Sequence, residues 1–335
     1  MRNPRLFATE CPYLKVALLV IVLGAGLGVG VPASGQVYPA RPIKVIVPMQ
    51  AGTAGDVIIR IVTQKISENV GRPLVIDNMP GAAGVIGERH IARAAADGYT
   101  IGAMGDSMLT VLPHLHTQGN LDPLADLEPV SLVAFITSVL VLHPSVAATS
   151  VNEFIALARS RPGSLDYASG GVGSQQHIAM ELFKDATGIK LAHVPLGGAS
   201  QAAMEVVSGR IPVTFVALSI ALPFIKDGRL RAIAVASRER STLLPALPTI
   251  SESGLPGFVL APWVALYAPK GTPRLMIERL SRETVAAVSD IAVRNQLLTL
   301  GLEPEGSTPG ELGQRTREEH VRMGKIIRAR GITGE

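Results

Sequence analysis

Three times in this chain a short apolar run ends in a glycine-rich turn that leads straight into an amphipathic helix. The three are Lys44 to Pro48 into Met49 to Asp56, Leu165 to Ala168 into Ser169 to Ser174, and Leu191 to Pro195 into Leu196 to Ser200. A helix start carries unpaired backbone N–H groups and the positive end of the peptide dipoles. Glycine lets a ligand come close to those groups. The repeated junction therefore points to an anion cradled by backbone amides, without a dedicated Arg or Lys.

The first residues bear on the compartment. Arg2, Arg5 and Lys15 precede an apolar run from Val16 to Val31, followed by Ala33-Ser34-Gly35. A charged region, an apolar region and a small-residue site read as a secretory signal peptide over residues 1–35. A retained anchor competes with that reading, since roughly 16 apolar residues approach a membrane span. Gly24, Gly26, Gly28 and Gly30 weaken an anchor helix, and the small-residue site favours cleavage. The same glycines imitate a nucleotide fingerprint, but no strand precedes them. The single cysteine, Cys11, lies before the apolar run, where a lipidated cysteine would have to follow it. An exported chain without disulfides fits a bacterial periplasm. Removing residues 1–35 takes away Arg2, Arg5, Lys15 and Glu10, which brings the net charge of the whole chain, +4, down to +2. So small a charge, with no basic cluster, argues against nucleic acid as a partner.

From Tyr38 onward strand and helix signals alternate. Lys44–Val47, Leu74–Asp77 and Tyr99–Met104 read as strands, with Val57, Ile58, Ile61, Val62 and Ile66 at helical spacing and a helix over Val85–Ala95. Val130–Ala134 and Ser138–His143 are adjacent strands, the second carrying the chain into another domain. Ser150-Val151-Asn152-Glu153 is a capping box. The rhythm restarts at Leu165–Ala168, with a helix over Gln175–Thr187 and strands at Leu191–Val194, Val213–Val216, Leu230–Ala236 and Val264–Ala268. Thr272-Pro273 reads as N-cap and N1 of a helix, and Pro309 opens a last helix that stops before Gly331. Alternation of this kind implies parallel sheets covered by helices. It occurs twice, around residues 43–135 and 140–255, as two lobes hinged about a ligand that sits beyond the strand carboxyl ends.

An ordinary βα turn with Asp56 as N-cap and a carboxylate seat made of amides and the Thr53 hydroxyl are both open for the first turn. The second, Ser169-Gly170-Gly171-Val172-Gly173-Ser174, packs more glycine and serine than a plain turn needs. No Gly-Lys-Ser/Thr follows any turn, which excludes a P-loop, and no Gly-x-Ser-x-Gly elbow occurs. Ser174 and His177 could share one face of a helix start, but a hydrolase also needs an orienting acid. His114-x-His116 lacks the further ligands of a metal site. Aromatics make up only 4% of the chain, with Trp263 the single tryptophan, which disfavours ring-stacked sugars and caged quaternary amines. Small polar anions remain.

One resemblance covers the mature chain in order. Tyr38-Pro39-Ala40-Arg41-Pro42-Ile43-Lys44-Val45-Ile46-Val47-Pro48 resembles the mature start of the Bug-type substrate-binding proteins of tripartite tricarboxylate transporters. The likeness continues through Asp77-Asn78-Met79-Pro80-Gly81-Ala82-Ala83-Gly84, Ala96-Asp97-Gly98-Tyr99-Thr100 and Tyr167 to Ser174. Val194 to Ala199, Leu247 to Gly254 and Ala268 to Pro273 complete it. The resemblance implies an α/β, two-lobed periplasmic binding protein fold of the type II kind, each lobe a mainly parallel sheet flanked by helices. Lobe 1 comprises residues 36–138 and 257–335, lobe 2 residues 139–256. It implies a non-enzyme without a cofactor, whose cleft holds a small carboxylate through amides and bridging waters. It implies handover to a two-subunit inner-membrane permease. The matching ligand positions are Met49, Gln50, Ala51, Gly52, Thr53, Asp56, Ser107, Ser169, Gly170, Gly171, Gly173, Ser174, Gly197, Gly198 and Ala199. Family members commonly carry Asp where Pro212 and Val216 stand here, so the ligand expected is a mono- or dicarboxylate without an ammonium group. An orphan ligand sensor for a two-component kinase would use the same cleft, and a periplasmic hydrolase would use Ser174 and His177.

Overall fold

Ile43–Val47, four buried apolar residues with the half-buried Lys44 among them, form the first strand, β1, because a mostly apolar run fits the middle of a helix-covered sheet. The computed structural model describes residues 38–115 and 122–333; the signal-peptide reading and His116 lie outside them. The helix α1, Ala54–Val70, follows β1; Ile58, Ile59, Val62 and Ile66 are its buried stripe. The N-cap is Thr53, whose hydroxyl accepts from the Asp56 amide, and Gly71 closes the helix in the left-handed region. Asp56 is thus not the cap but a residue of the first turn.

Next come β2 (Leu74–Asn78), α2 (Val85–Ala92), β3 (Thr100–Gly105), the short α3 (Asp106–Thr110), α4 (Leu112–Leu115) and α5 (Pro123–Asp126). Then follow β4 (Leu127–Ile136), β5 (Ser138–Leu142), α6 (Val151–Ser160), β6 (Asp166–Ser169) and α7 (Gln175–Thr187). The chain continues through β7 (Ala192–Pro195), α8 (Ala199–Val207), β8 (Val213–Ala217), α9 (Leu218–Lys226), β9 (Arg231–Val235) and β10 (Trp263–Pro269). It ends with α10 (Arg274–Ser289), α11 (Ile291–Leu298), β11 (Leu302–Pro304) and α12 (Pro309–Arg330). All lie in one compact unit, Pro39–Glu335.

Two sheets result. The first has the order β11-β4-β10-β3-β1-β2, the second β7-β6-β8-β5-β9. The parallel geometry read from the sequence holds for β2-β1-β3 and for β7-β6-β8. Both sheets are nevertheless mixed. β10 returns antiparallel between β3 and β4, and β5 runs antiparallel to β8 and β9. The cause is the passage from β4 to β5 through the single residue Thr137, which sends the chain on into the second sheet. That crossing is bonded on both sides: Leu218 N–H donates to Thr137 O at 2.8 Å, and the Thr137 hydroxyl donates to Glu303 Oε1 at 3.0 Å. Apolar clusters fill the space between sheets and helices, with Phe154, Tyr167, Phe183 and Phe215 on one side of the second sheet and Trp263 and Tyr267 against the first.

Local signals are mostly where the sequence places them. Ser150 Oγ accepts from Glu153 N–H, but the Glu153 carboxylate turns to Thr149 rather than completing the box. Thr272 is not a cap: its hydroxyl turns back to Pro269 O, and Pro273 takes the N-cap place.

Candidate functional site

The strands β1, β3, β6, β7 and β8 all end at one cavity of about 480 Å³, as expected for open α/β sheets. Its wall includes Gln50, Thr53, Ala54 and Gly55 from the start of α1, and Gly105 and Ser107 from the start of α3. From the second sheet come Gly170, Gly171, Ser174, Gln175 and Gln176, then Gly197, Gly198 and Ala199, and Ala217 just before α9. Five helix starts therefore face one enclosed space. Among the described residues, no Lys, Arg, His, Asp or Glu lines it.

Ten of the residues named from the sequence reach the wall: Met49, Gln50, Thr53, Ser107, Gly170, Gly171, Ser174, Gly197, Gly198 and Ala199. Five stand behind it. Ala51 and Gly52 are exposed on the outside of the first turn, where Gly52 adopts φ +80°. Asp56 is buried and ties that turn together, accepting from Gly52 N–H, Arg60 Nε and Asn78 Nδ2, each at 2.9 Å. Burial pushes the Asp56 carboxyl up, but those hydrogen bonds together hold it below the ordinary value. Ser169 is fully buried, its hydroxyl accepting from Gly171 N–H and lying 2.6 Å from His193 Nε2. Gly173 donates its N–H to His177 Nδ1 at 3.1 Å.

These bonds change which amides are free. The N–H groups of Gly52, Gly171, Gly173 and Gly197 are all taken by side chains within the turns. Among the described residues, the amides of Ala54, Gly55, Gln175, Gln176 and Ala199 donate to no protein acceptor. They are the first helical positions, whose N–H groups have no intrahelical partner. Four of the turn glycines thus spend their N–H groups on the turns, and the helix-start residues after them present donors to the cavity.

Tyr167, His193 and His177 stack beneath the second turn, with successive ring centroids 4.8 and 4.2 Å apart. Burial, with the neighbouring imidazole of His177, pushes His193 down to about 4, and burial lowers His177. Both are neutral at neutral pH, and His177 Nδ1 serves as the acceptor for Gly173 N–H. Ser174 Oγ accepts from the His177 backbone N–H rather than meeting its ring. Glu181, the acid nearby, accepts from the Tyr167 hydroxyl and pairs with Lys184, both at 2.6 Å. The Ser174–His177 pair is thus a helix cap and a turn brace. His114 Nε2 meets His320 O, and no cluster of potential metal ligands occurs among the described residues.

The sequence reading missed Pro80, Gly81 and Ala82, Ser138, Gln175 and Gln176, and Ala217 as wall residues. Pro212 and Val216, named as departures, do not reach the wall; Val216 is in the core, and the alternation of β8 brings Ala217 to the cavity.

Comparison with known proteins accords with this architecture. The sequence pattern of the tripartite tricarboxylate transporter family receptors matches residues 58–332. Protein BugT of Bordetella pertussis is 35% identical over 329 residues, covering 95% of this chain and 99% of that protein. A protein encoded in the tcbD-tcbE intergenic region of a Pseudomonas species is 36% identical over 291 residues, 87% of this chain and 86% of that protein. Among solved structures, Rpa4515 of R. palustris with adipate superposes with a TM-score of 0.85 at 31% identity, covering 88% of this chain and 99% of that one. MatC from Rhodopseudomonas palustris with bound malate gives 0.81 at 28% identity, over 87% and 100%. The fold is that of the two-lobed periplasmic binding proteins, and the chain belongs to the tripartite tricarboxylate transporter family of solute-binding receptors.

Proposed function

We propose that this protein is an exported receptor that closes on one small organic carboxylate and delivers it to a two-subunit inner-membrane permease. The observation that carries the reading is the uncharged cavity ringed by unclaimed amides at helix starts. Such amides stabilise an anion by directed donors and aligned dipoles at no cost in burying a cation. Among the described residues no carboxylate lines the wall to balance an ammonium group, so the ligand is a mono- or dicarboxylate rather than an amino acid. The adipate and malate complexes of the two R. palustris relatives support that class. Met49, Gln50 and Thr53 form one jaw and Gly170, Gly171, Ser174, Gly197, Gly198 and Ala199 the other, with Ser107 beside them. Residues 36–138 and 257–335 make one lobe and 139–256 the other, and residues 1–35 are removed on export.

A thermal-shift screen of the purified protein against a panel of carboxylates tests the reading, because a ligand that binds the native state raises its melting temperature. At a hundredfold excess over Kd the expected rise is roughly 5–10 °C. No rise with any carboxylate, and no heat of binding by calorimetry, would contradict it.

A further inference from the structure

Most polar side chains on the cavity wall are already committed. The Thr53 hydroxyl donates to Gln50 O, Gln50 Nε2 to Gly197 O, and Gln175 Nε2 to Asp106 Oδ1. Two are not. Gln176 is 9% exposed and Ser138 8%, both line the cavity, and among the described residues neither side chain has a hydrogen-bond partner. Around Ser138 the wall is apolar, formed by Ile136, Ala217 and Val264. A Cβ on Gly170 would stand 3.3 Å from Gln176 Oε1 and 2.9 Å from the Ala199 amide nitrogen. The carboxamide therefore sits beside one of the unclaimed amides.

Once an occupant displaces water from the cavity, a polar group left without a partner is penalised, so a fitting occupant supplies the missing bonds. A carboxylate offers acceptors only. It can satisfy the Ser138 hydroxyl, the carboxamide NH2 and the helix-start amides, but it leaves the carboxamide oxygen bare. Whichever way the carboxamide is turned, one of its two ends is an acceptor. A hydroxyl next to the carboxylate both donates and accepts, and completes the set.

We propose that Gln176 and Ser138 read a hydroxyl group on the bound acid, so that the receptor selects a 2-hydroxycarboxylate over the same acid without the hydroxyl. The inference rests on the carboxylate reading of the cavity. A site built to hydrogen-bond a substrate hydroxyl rejects the analogue that lacks it, because its own polar groups are then left unpaired.

Calorimetry on the purified protein with matched acids, lactate against propionate, malate against succinate and 2-hydroxyglutarate against glutarate, reads the selectivity directly. In every pair of which a member binds, the hydroxylated acid is expected to bind at least about tenfold tighter. Gln176→Met, similar in volume and without the carboxamide, shrinks that ratio to within about twofold. Ser138→Ala shrinks it independently, and decides the matter should the first variant fail to fold by circular dichroism. Equal affinities within the pairs, or a ratio that survives in the folded variants, overturns the hydroxyl proposal and leaves the carboxylate reading standing. Absence of binding by all six acids overturns the hydroxyl proposal, and the carboxylate reading falls with it only if the wider carboxylate panel also fails to bind.

Discussion

Gln50 Nε2, on the turn leaving β1, donates to the carbonyl oxygen of Gly197, on the turn leaving β7, at 2.8 Å. The two turns belong to different sheets, so one side chain ties the rims of the cavity together. Gly198 is part of the same fit, since a Cβ there would stand 2.2 Å from Gln50 Oε1. Removing the carboxamide by Gln50→Ala should weaken ligand binding about two- to tenfold, the worth of one net hydrogen bond. The unliganded protein should melt within a few degrees of the wild type. Calorimetry and a thermal melt on the same sample separate the two effects.

Asp56 stands behind the cavity wall and holds the first turn together. Asp56→Ala leaves Gly52 N–H, Asn78 Nδ2 and Arg60 without their acceptor, and should cost roughly 2–4 kcal/mol in chemical denaturation. The pH dependence follows from its lowered pKa. The stabilisation is present above the ordinary carboxylate range and is lost as pH falls through the lower folded value, a loss that the Ala variant lacks.

Glu88 works with the opposite sign. It is buried on α2 with Oε1 unpartnered, and burial, with a smaller contribution from Asp126 against the pull of Arg89, pushes it up to about 8. A raised carboxyl pKa means the folded state keeps a proton that the unfolded chain gives up. Stability therefore declines as pH rises from about 4.5, the unfolded value, to about 8, and levels off above. Glu88→Gln removes the decline: the variant should melt above the wild type at pH 8 and close to it at pH 5, a gap of a few kcal/mol at most, on the order of one per unit of pH. Parallel melting curves at both pH values would refute this.

The glycines of the turns separate by their surroundings. At Gly52, φ is +80° and a Cβ meets nothing within 4 Å, so Gly52→Ala should cost about 1–2 kcal/mol of stability and leave affinity unchanged. At Gly170 a Cβ would press on backbone, 2.9 Å from Ala199 N. Gly170→Ala pushes the second and third turns apart and should lower affinity on the order of tenfold. Equal effects on binding from the two variants would contradict the placement of the donors.

Local chemistry explains why so much of this was legible in the chain. The helix over Gln175–Thr187 was marked by Ser174 at its start, by its apolar spacing and by Gly188 at its end, and it stands at those bounds. The glycine turns do converge, because each strand carries its turn to the same edge of its sheet. What neighbours in sequence could not reveal is pairing at a distance. Nothing near Trp263–Pro269 says that β10 slots antiparallel between β3 and β4. Nothing near Ser169 says that its hydroxyl meets His193 Nε2. Ser138 and Ala217 reach the wall through the pairing of β5 with β8, and Gln176 was passed over because a glutamine on a helix start is an unremarkable residue until its partners are counted.

The central claim is that the anion sits on helix-start amides and not on the N–H groups of Gly52, Gly171, Gly173 and Gly197, which the turns themselves use. Backbone amide resonances, followed by NMR while a bound carboxylate is titrated in, test it most directly. The account predicts downfield shifts and slowed exchange at Ala54, Gly55, Gln175, Gln176 and Ala199, with Gly52 and Gly173 little changed. A titration that moves the Gly52 and Gly173 amides and leaves those five in place would contradict it.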